Sequence, residues 1–255
     1  MPPSDERTIL LLGDPFFNRM VFTASVIDRL EQLGTVVGPF APDASETYDS
    51  HLASVTDIIG TWGFVEHAAA ILEKTPRLEA VYYAAGDHRA ILSPSFRQRD
   101  IRLFSAVAVN SRPVAEYTFA LVIMALKAAI PCFLKTRQLG RYPQGAQFAG
   151  AGAYRTSVGL VGFGHVGRQV AELLKHTDLT VLAYDPYAGS TSWEGQRVQP
   201  VDNLMHLFRN AQIVSLHLPL TKDTKHLVKQ HHLQAFCQGG ALVNTSRGGL
   251  IHQKD

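Results

Sequence analysis

"VGLVGFGHVGRQVAELL", Val158 to Leu174, decides the fold. Its first part is a short apolar run, and its last part alternates apolar and polar residues at helical spacing. Between them Gly162, Gly164 and Gly167 keep the G-x-G-x-x-G spacing. The string alone is weak, because a glycine-rich turn that binds nothing can carry it. A strand before it and an amphipathic helix after it favour a phosphate loop. There Gly162 permits the tight turn, Gly164 lets the backbone approach a pyrophosphate, and Gly167 lets helix and strand pack closely. The helix N-terminus then presents backbone N–H groups to an anion. The next predicted strand, "LTVLAYDP", carries Asp185 at its end, eighteen residues past Gly167. A carboxylate there accepts hydrogen bonds from an adenine-ribose hydroxyl and repels a 2′-phosphate, which favours NAD over NADP. The bland alternative is a solvated loop aspartate.

Outward from this loop, short apolar runs alternate with amphipathic ones. Upstream, "TILLLG", "TVVGPF", "TDIIGTW", "LEAVYYAAG" and "IRLFSAVA" read as strands, with helices over Arg19–Leu33 and "VEHAAAILEKTP". A long helix is expected over residues 113–139, opened by Pro113 and nearly apolar all round over "FALVIMALKAAI", hence buried between domains or between subunits. "GRYPQGAQFAGAGAYR" follows as a glycine-rich connector. Downstream, helices are expected over His165–His176, Val201–Asn210 and His231–Phe236, with strands at "QIVSLHLP" and "GALVNTSRG". Continuous apolar strands separated by helices predict an α/β protein with two doubly wound parallel sheets. Residues 1–111 would form a flavodoxin-like unit and 112–255 a Rossmann unit, with the ligand cleft between them.

Composition narrows the function classes. The chain has 24 Lys plus Arg against 22 Asp plus Glu, a net charge of +2, too small to argue for a nucleic-acid or membrane surface. Its two cysteines, Cys132 and Cys237, give no disulfide framework and fit a reducing, cytoplasmic setting. The apolar run near the N-terminus is too short for a signal segment, and "VAEYTFALVIMALKAAI" carries Glu116 and Lys127 and falls short of a membrane span. His231, His232 and Cys237 do not lie on one helix face and have no second cluster, so no metal site is expected.

"LVGFGHVGRQVAELL", "YDPY", "VSLHLPLTKDTKHLV" and "ALVNTSRGGLI" occur in the order and spacing of the D-isomer-specific 2-hydroxyacid dehydrogenases, and "DIRLFSAVAVNSRPVAEYTFALVIMALK" also resembles a segment of that family. The resemblance covers about residues 78–252; the first 77 match only in pattern. It implies that His165 and Val166 touch the pyrophosphate through their backbone. It implies that His217, Leu218 and Pro219, with Thr224 near, line the riboses, and that Thr245, Ser246 and Arg247 lie beside the nicotinamide. Arg247 matches the catalytic arginine. In "YAAGDHRAI" the backbone at Ala85 and Gly86 would hold the substrate carboxylate, and His88 and Arg89 stand where many members carry Asp-Asn. The implied reaction is hydride transfer between NAD and a small 2-hydroxy or 2-oxo acid, in a homodimer. A guanidinium suits that chemistry, since its planar fork can clamp a carboxylate and polarise a carbonyl.

Two further expectations follow from the resemblance. The family's arginine is followed by a glutamate and then a histidine that handle the proton. Only Gly248 to Asp255 follow Arg247, so a truncated dehydrogenase is expected, its turnover reduced roughly 10²–10⁴-fold for want of the acid/base pair. The competing function is a catalytically silent NAD-binding or dimerisation module. A methyltransferase is disfavoured, because "HLPLTKDT" and "NTSRGG" have no role there.

Overall fold

The computed structural model describes residues 7–145, 152–189 and 193–253. The connector expected after Gly140 therefore falls partly on residues 146–151, outside the described residues. The chain divides into two compact units, Met1–Asn110 and Ser111–Asp255.

In the first unit the order is β1 (Thr8–Leu12), α1 (Pro15–Val21), α2 (Ala24–Glu31), β2 (Thr35–Phe40), β3 (Asp57–Gly60), α3 (Ala68–Glu73), β4 (Ala80–Tyr83), α4 (Pro94–Arg97) and β5 (Arg102–Ser105). The five strands are parallel in the order β2-β1-β3-β4-β5, the flavodoxin-type arrangement. Alternation along β1 explains why the sheet is covered on both faces. Leu10 and Leu12 pack with Ile58, Phe64 and Val81, while Ile9 and Leu11 pack with Phe22. That position of Phe22 also splits the helix expected over Arg19–Leu33. Phe22 leaves helical geometry at φ −94°, ψ 65°, and its ring turns into the core. Thr23 then starts α2, its carbonyl accepting from the Val26 and Ile27 N–H groups.

Helix α5 (Val107–Leu126) begins six residues earlier than the sequence suggests and contains Pro113 instead of opening on it. The cause is a cap further upstream, where the Ser105 hydroxyl accepts from the Val107 N–H at 3.2 Å. The expected single helix is also broken. Ala128 adopts the left-handed region at φ 50°, and α6 (Ala129–Leu139) leaves at 59° to α5. Nor is it buried all round. Ser111, Ala115, Thr118, Val122 and Leu126 form one buried stripe on α5, and α6 has no buried residue among its members. No single helix among the described residues is long and apolar enough to cross a membrane; α5 and α6 together reach that length and composition only as a bent pair.

The second unit continues with β6 (Ser157–Val161), α7 (His165–Leu174), β7 (Thr180–Tyr184), β8 (Gln199–Pro200), α8 (Leu204–Asn210), β9 (Ile213–Leu216), α9 (Gln230–Leu233) and β10 (Ala241–Asn244). Among the described residues its parallel sheet runs β10-β9-β6-β7-β8. Numbered from β6, that is 3-2-1-4-5 read from the β8 edge, the order of a Rossmann sheet. Val158 and Leu160 pack on one face with Val170 and Leu174, and Val161 on the other with Leu207 and Phe208. Crossing from β7–β8 on one side of β6 to β9–β10 on the other creates a topological switch point. Ligands of open α/β sheets bind there, outside the carboxyl ends of the strands.

Candidate functional site

Gly162 follows β6 at φ +95°, a conformation L side chains rarely adopt, and its N–H donates to the Tyr184 carbonyl at 2.8 Å. A Cβ on Gly162 would stand 2.7 Å from the His217 carbonyl oxygen. Gly167 packs directly on the Gly162 carbonyl, leaving no room for a side chain. Gly164 differs. It is the N-cap of α7, and nothing lies within 4 Å of where its Cβ would be. The loop is thus closed on its protein side and open at Gly164, where α7 directs its free N–H groups. This cradle fits a dinucleotide pyrophosphate. His165 is exposed and Val166 partly so, in the first turn of α7.

Asp185 follows β7 and is tied to the same loop. Its Oδ2 accepts from the Phe163 N–H at 2.8 Å and its Oδ1 from the Tyr187 N–H at 2.9 Å. Each oxygen keeps a lone pair for a further donor. Phe163 is buried, with the Trp193 ring stacked at 4.7 Å and the Arg168 guanidinium over its ring at 4.9 Å.

His217 follows β9, its N–H donating to the Val161 carbonyl at 2.7 Å. Neither ring nitrogen has a hydrogen-bond partner among the described residues, and burial pushes its pKa down to about 4. The ring therefore stays neutral near pH 7. An imidazole depressed from about 6.5 contributes stability that is present above pH 6.5 and is lost as pH falls towards 4, at most about 3 kcal/mol. Urea unfolding at pH 7.5 and 4.5 is expected to show this loss in the parent and a smaller one in His217→Gln. Equal pH dependence in the two proteins would refute it. Leu218 and Pro219 continue from His217, and the Thr224 hydroxyl holds this turn, donating to the Pro219 carbonyl at 2.6 Å and accepting from the Thr221 N–H at 2.8 Å.

The turn after β10 is held by its own polar side chains. The Asn244 Oδ1 accepts from the Ser246 N–H at 3.0 Å, and its Nδ2 donates to the Arg247 carbonyl at 3.0 Å. The Ser246 hydroxyl donates to the Leu216 carbonyl at 2.7 Å, tying the turn to the end of β9. Thr118 of α5 donates to the Val114 carbonyl, so the 2.9 Å contact between its Oγ1 and that of Thr245 is donated by Thr245. Arg247 is exposed in extended backbone; its Nη1 donates to the Ser246 carbonyl at 3.1 Å, and it forms no ion pair among the described residues. Sequence reasoning missed Asn244 and Thr118. An Asx turn was readable from the asparagine two places before Ser246; nothing local marks Thr118.

Gly162, Asp185, His217 and Thr245 thus follow the carboxyl ends of β6, β7, β9 and β10, on one edge of one sheet. Ala85 and Gly86 follow β4 in the other unit. Ala85 is fully buried and Gly86 partly exposed, so a ligand reaching this loop meets Gly86 first. Arg89, in the position where the family's Asn is expected, is held by Asp87, its Nε at 2.8 Å from Oδ1 and its Nη2 at 2.5 Å from Oδ2.

Residues 119–255, more than half of the chain, match the model of the D-isomer specific 2-hydroxyacid dehydrogenase NAD binding domain. The chain is 28% identical over 184 residues to D-3-phosphoglycerate dehydrogenase of Methanocaldococcus jannaschii, covering 72% of this chain and 35% of that protein. It is 31% identical over 186 residues to (S)-sulfolactate dehydrogenase of Chromohalobacter salexigens, covering 72% and 59%. It therefore spans between about a third and three-fifths of the length of these relatives. A glyoxylate reductase from Paecilomyes thermophila superposes with a TM-score of 0.76 at 20% identity, covering 100% of this chain and 76% of that one, which supports the fold. The chain belongs to the D-isomer-specific 2-hydroxyacid dehydrogenase family and carries its NAD-binding domain.

Proposed function

We propose that this chain serves NAD-dependent hydride transfer between the nicotinamide and a small 2-hydroxy or 2-oxo acid. The observation that carries the reading is the glycine loop, closed at Gly162 and Gly167 and open at Gly164, with Asp185 bonded to its backbone. Residues 112–255 form the NAD-binding part, and 1–111 the substrate-binding part. The amides at the start of α7, those of His165 and Val166, hold the pyrophosphate, while those of Gly162 and Phe163 are taken by Tyr184 and Asp185. Asp185 accepts from the adenine-ribose hydroxyls and repels a 2′-phosphate. His217, Leu218, Pro219 and Thr224 line the riboses, and Thr245 and Ser246 fix the turn beside the nicotinamide. NAD supplies the hydride acceptor, or the donor when reduced. Arg247 polarises the substrate carbonyl. The backbone at Ala85 and Gly86 is assigned to carboxylate binding. Burial keeps the His217 ring neutral near pH 7.

Exposed Tyr117, Met124, Ile130, Phe133 and Leu134 on α5 and α6 support a homodimer, since they leave apolar surface on adjoining helices. The free thiols of Cys132 and Cys237 support a cytoplasmic setting.

Calorimetric titration with NAD and NADP tests the cofactor assignment. NAD is expected to bind at least about tenfold more tightly, since a 2′-phosphate beside a carboxylate is repelled. Asp185→Ala is expected to narrow the gap from the NAD side. Equal affinities in the unmodified chain would remove the role given to Asp185. Assay with NADH and a panel of 2-oxo acids tests turnover; NADH binding without turnover would favour the binding-module reading.

A further inference from the structure

The tail after Arg247 runs beside the segment after Thr224. The His226 N–H donates to the Gly249 carbonyl at 2.8 Å, the Val228 N–H to Leu250 at 3.0 Å and the His252 N–H to Val228 at 2.9 Å, with Val228 and Ile251 paired as a parallel bridge. This pairing and α9 border an open groove of about 570 Å³. Its lining holds Lys225, Lys229, His226, His231, His232 and His252, and one carboxylate, Asp223. The rings of His226 and His252 meet edge to face at 4.8 Å, and those of His231 and His232 lie 4.0 Å apart. His226 sits at φ 56°, a left-handed conformation uncommon for a residue with a side chain.

The chemistry of this lining is one-sided. Lysine ammonium groups only donate, and each imidazole carries at least one N–H. The Nδ1 of His232 accepts from the Lys229 N–H at 3.1 Å, so its proton lies on Nε2. Two ammonium groups and four imidazoles share the described lining with one carboxylate, a balance that suits a small group rich in acceptor oxygens. Imidazoles ordinarily gain charge between pH 8 and 5. Burial, then the neighbouring His231 and Lys229, hold His232 below the usual range. Positive charge in the groove faces one carboxylate among the described lining residues, Asp223, and an anion relieves the repulsion between like charges.

We propose that this groove binds a multiply charged oxyanion of the phosphate or sulfate class, with affinity rising as pH falls. The site is separate from the glycine loop and does not rest on the hydride-transfer reading. Sulfate is the probe, because it remains a dianion between pH 7.5 and 6.0. The readout is the ¹H–¹⁵N signals of the histidine rings, assigned with single His→Gln variants and recorded with NAD present to fill the glycine loop. Sulfate is expected to shift the His226 and His252 signals, whereas chloride at matched ionic strength does not. Its affinity is expected to be roughly fourfold higher at pH 6.0 than at pH 7.5, the effect of raising one imidazole by about one pKa unit. Lys225→Gln/Lys229→Gln replaces two exposed side chains and is expected to weaken sulfate at least about fivefold while leaving NAD affinity and Tm in chloride unchanged. Equal shifts in chloride, unchanged sulfate affinity in the double variant, or the same affinity at both pH values would each overturn the proposal. An inorganic phosphate titration at pH 7.5 extends the test to the biological anion, and silence of the same histidine signals there would restrict the site to sulfate.

Discussion

Gly162→Ala is expected to destabilise the protein by about 2–4 kcal/mol, while Gly164→Ala leaves stability within about 0.5 kcal/mol yet weakens NAD at least tenfold. The two glycines lie two residues apart in one motif and differ in what surrounds them. At Gly162 an added methyl meets two obstacles. The backbone stands at φ +95°, which costs a residue with a Cβ about 1–3 kcal/mol by itself. The methyl also points at the carbonyl oxygen of His217, 2.7 Å away, and at Leu218 Cδ2, 2.9 Å away. That carbonyl cannot retreat freely, because the His217 N–H is bonded to Val161. Gly164 has φ −81°, where alanine is at ease, and open space at its Cβ position. A methyl there strains nothing in the protein and fills the room through which a pyrophosphate approaches the backbone. Urea midpoints and calorimetric NAD affinities separate the two effects. Undiminished NAD binding by Gly164→Ala would remove the phosphate-loop assignment, and normal stability of Gly162→Ala would contradict the backbone geometry.

That motif was the most legible part of the chain because two periodicities meet in it, apolar β6 and the 3.6-residue pattern of α7. Other elements were hidden for physical reasons. The stretch "FALVIMALKAAI" is apolar on nearly every side, so no period marks the bend; the signal that does is Pro131, which lacks an N–H and falls in the first turn of α6, three residues past Ala128. The start of α5 was misplaced because proline is a familiar opening signal, whereas the actual cap is the Ser105 hydroxyl. The β8 strand is two exposed residues, Gln199 and Pro200, on the sheet edge, with too little length for any alternation.

The candidate site was legible wherever function follows chain order. The glycines and Asp185 were read from motif and spacing, and His217 only from the family resemblance; in the fold these residues follow strands of one parallel sheet, whose carboxyl ends lie on one side. What supports them was not legible. Thr118 meets Thr245 across 127 residues of sequence, a contact only the packing of α5 on the sheet creates. The low pKa of His217 likewise depends on burial that no local pattern announces.

The last expected result concerns Arg247. Arg247→Lys keeps the positive charge and is still expected to lower kcat/KM for a 2-oxo acid by roughly 10²–10³-fold, the scale set by losing one preorganised donor to a developing oxyanion. An ammonium is a point charge on a flexible stem and cannot bridge a carboxylate and a carbonyl in one plane as a guanidinium does. The turn under Arg247 is fixed by its own polar side chains. Asn244 holds its carbonyl and the Ser246 N–H, and Ser246 anchors the turn to Leu216. The guanidinium itself is exposed; among the described residues it is held through Nη1 to the Ser246 carbonyl, and its other N–H groups can donate to a substrate. NADH affinity is expected to change less than about threefold in the lysine variant, since the pyrophosphate cradle and Asp185 are untouched. Arg247→Ala should lose more, and millimolar guanidinium should restore part of its turnover, a rescue that a purely structural arginine would not show. Wild-type turnover by Arg247→Lys, or a loss that tracks NADH affinity alone, would take Arg247 out of the chemistry and leave it as a residue of the turn.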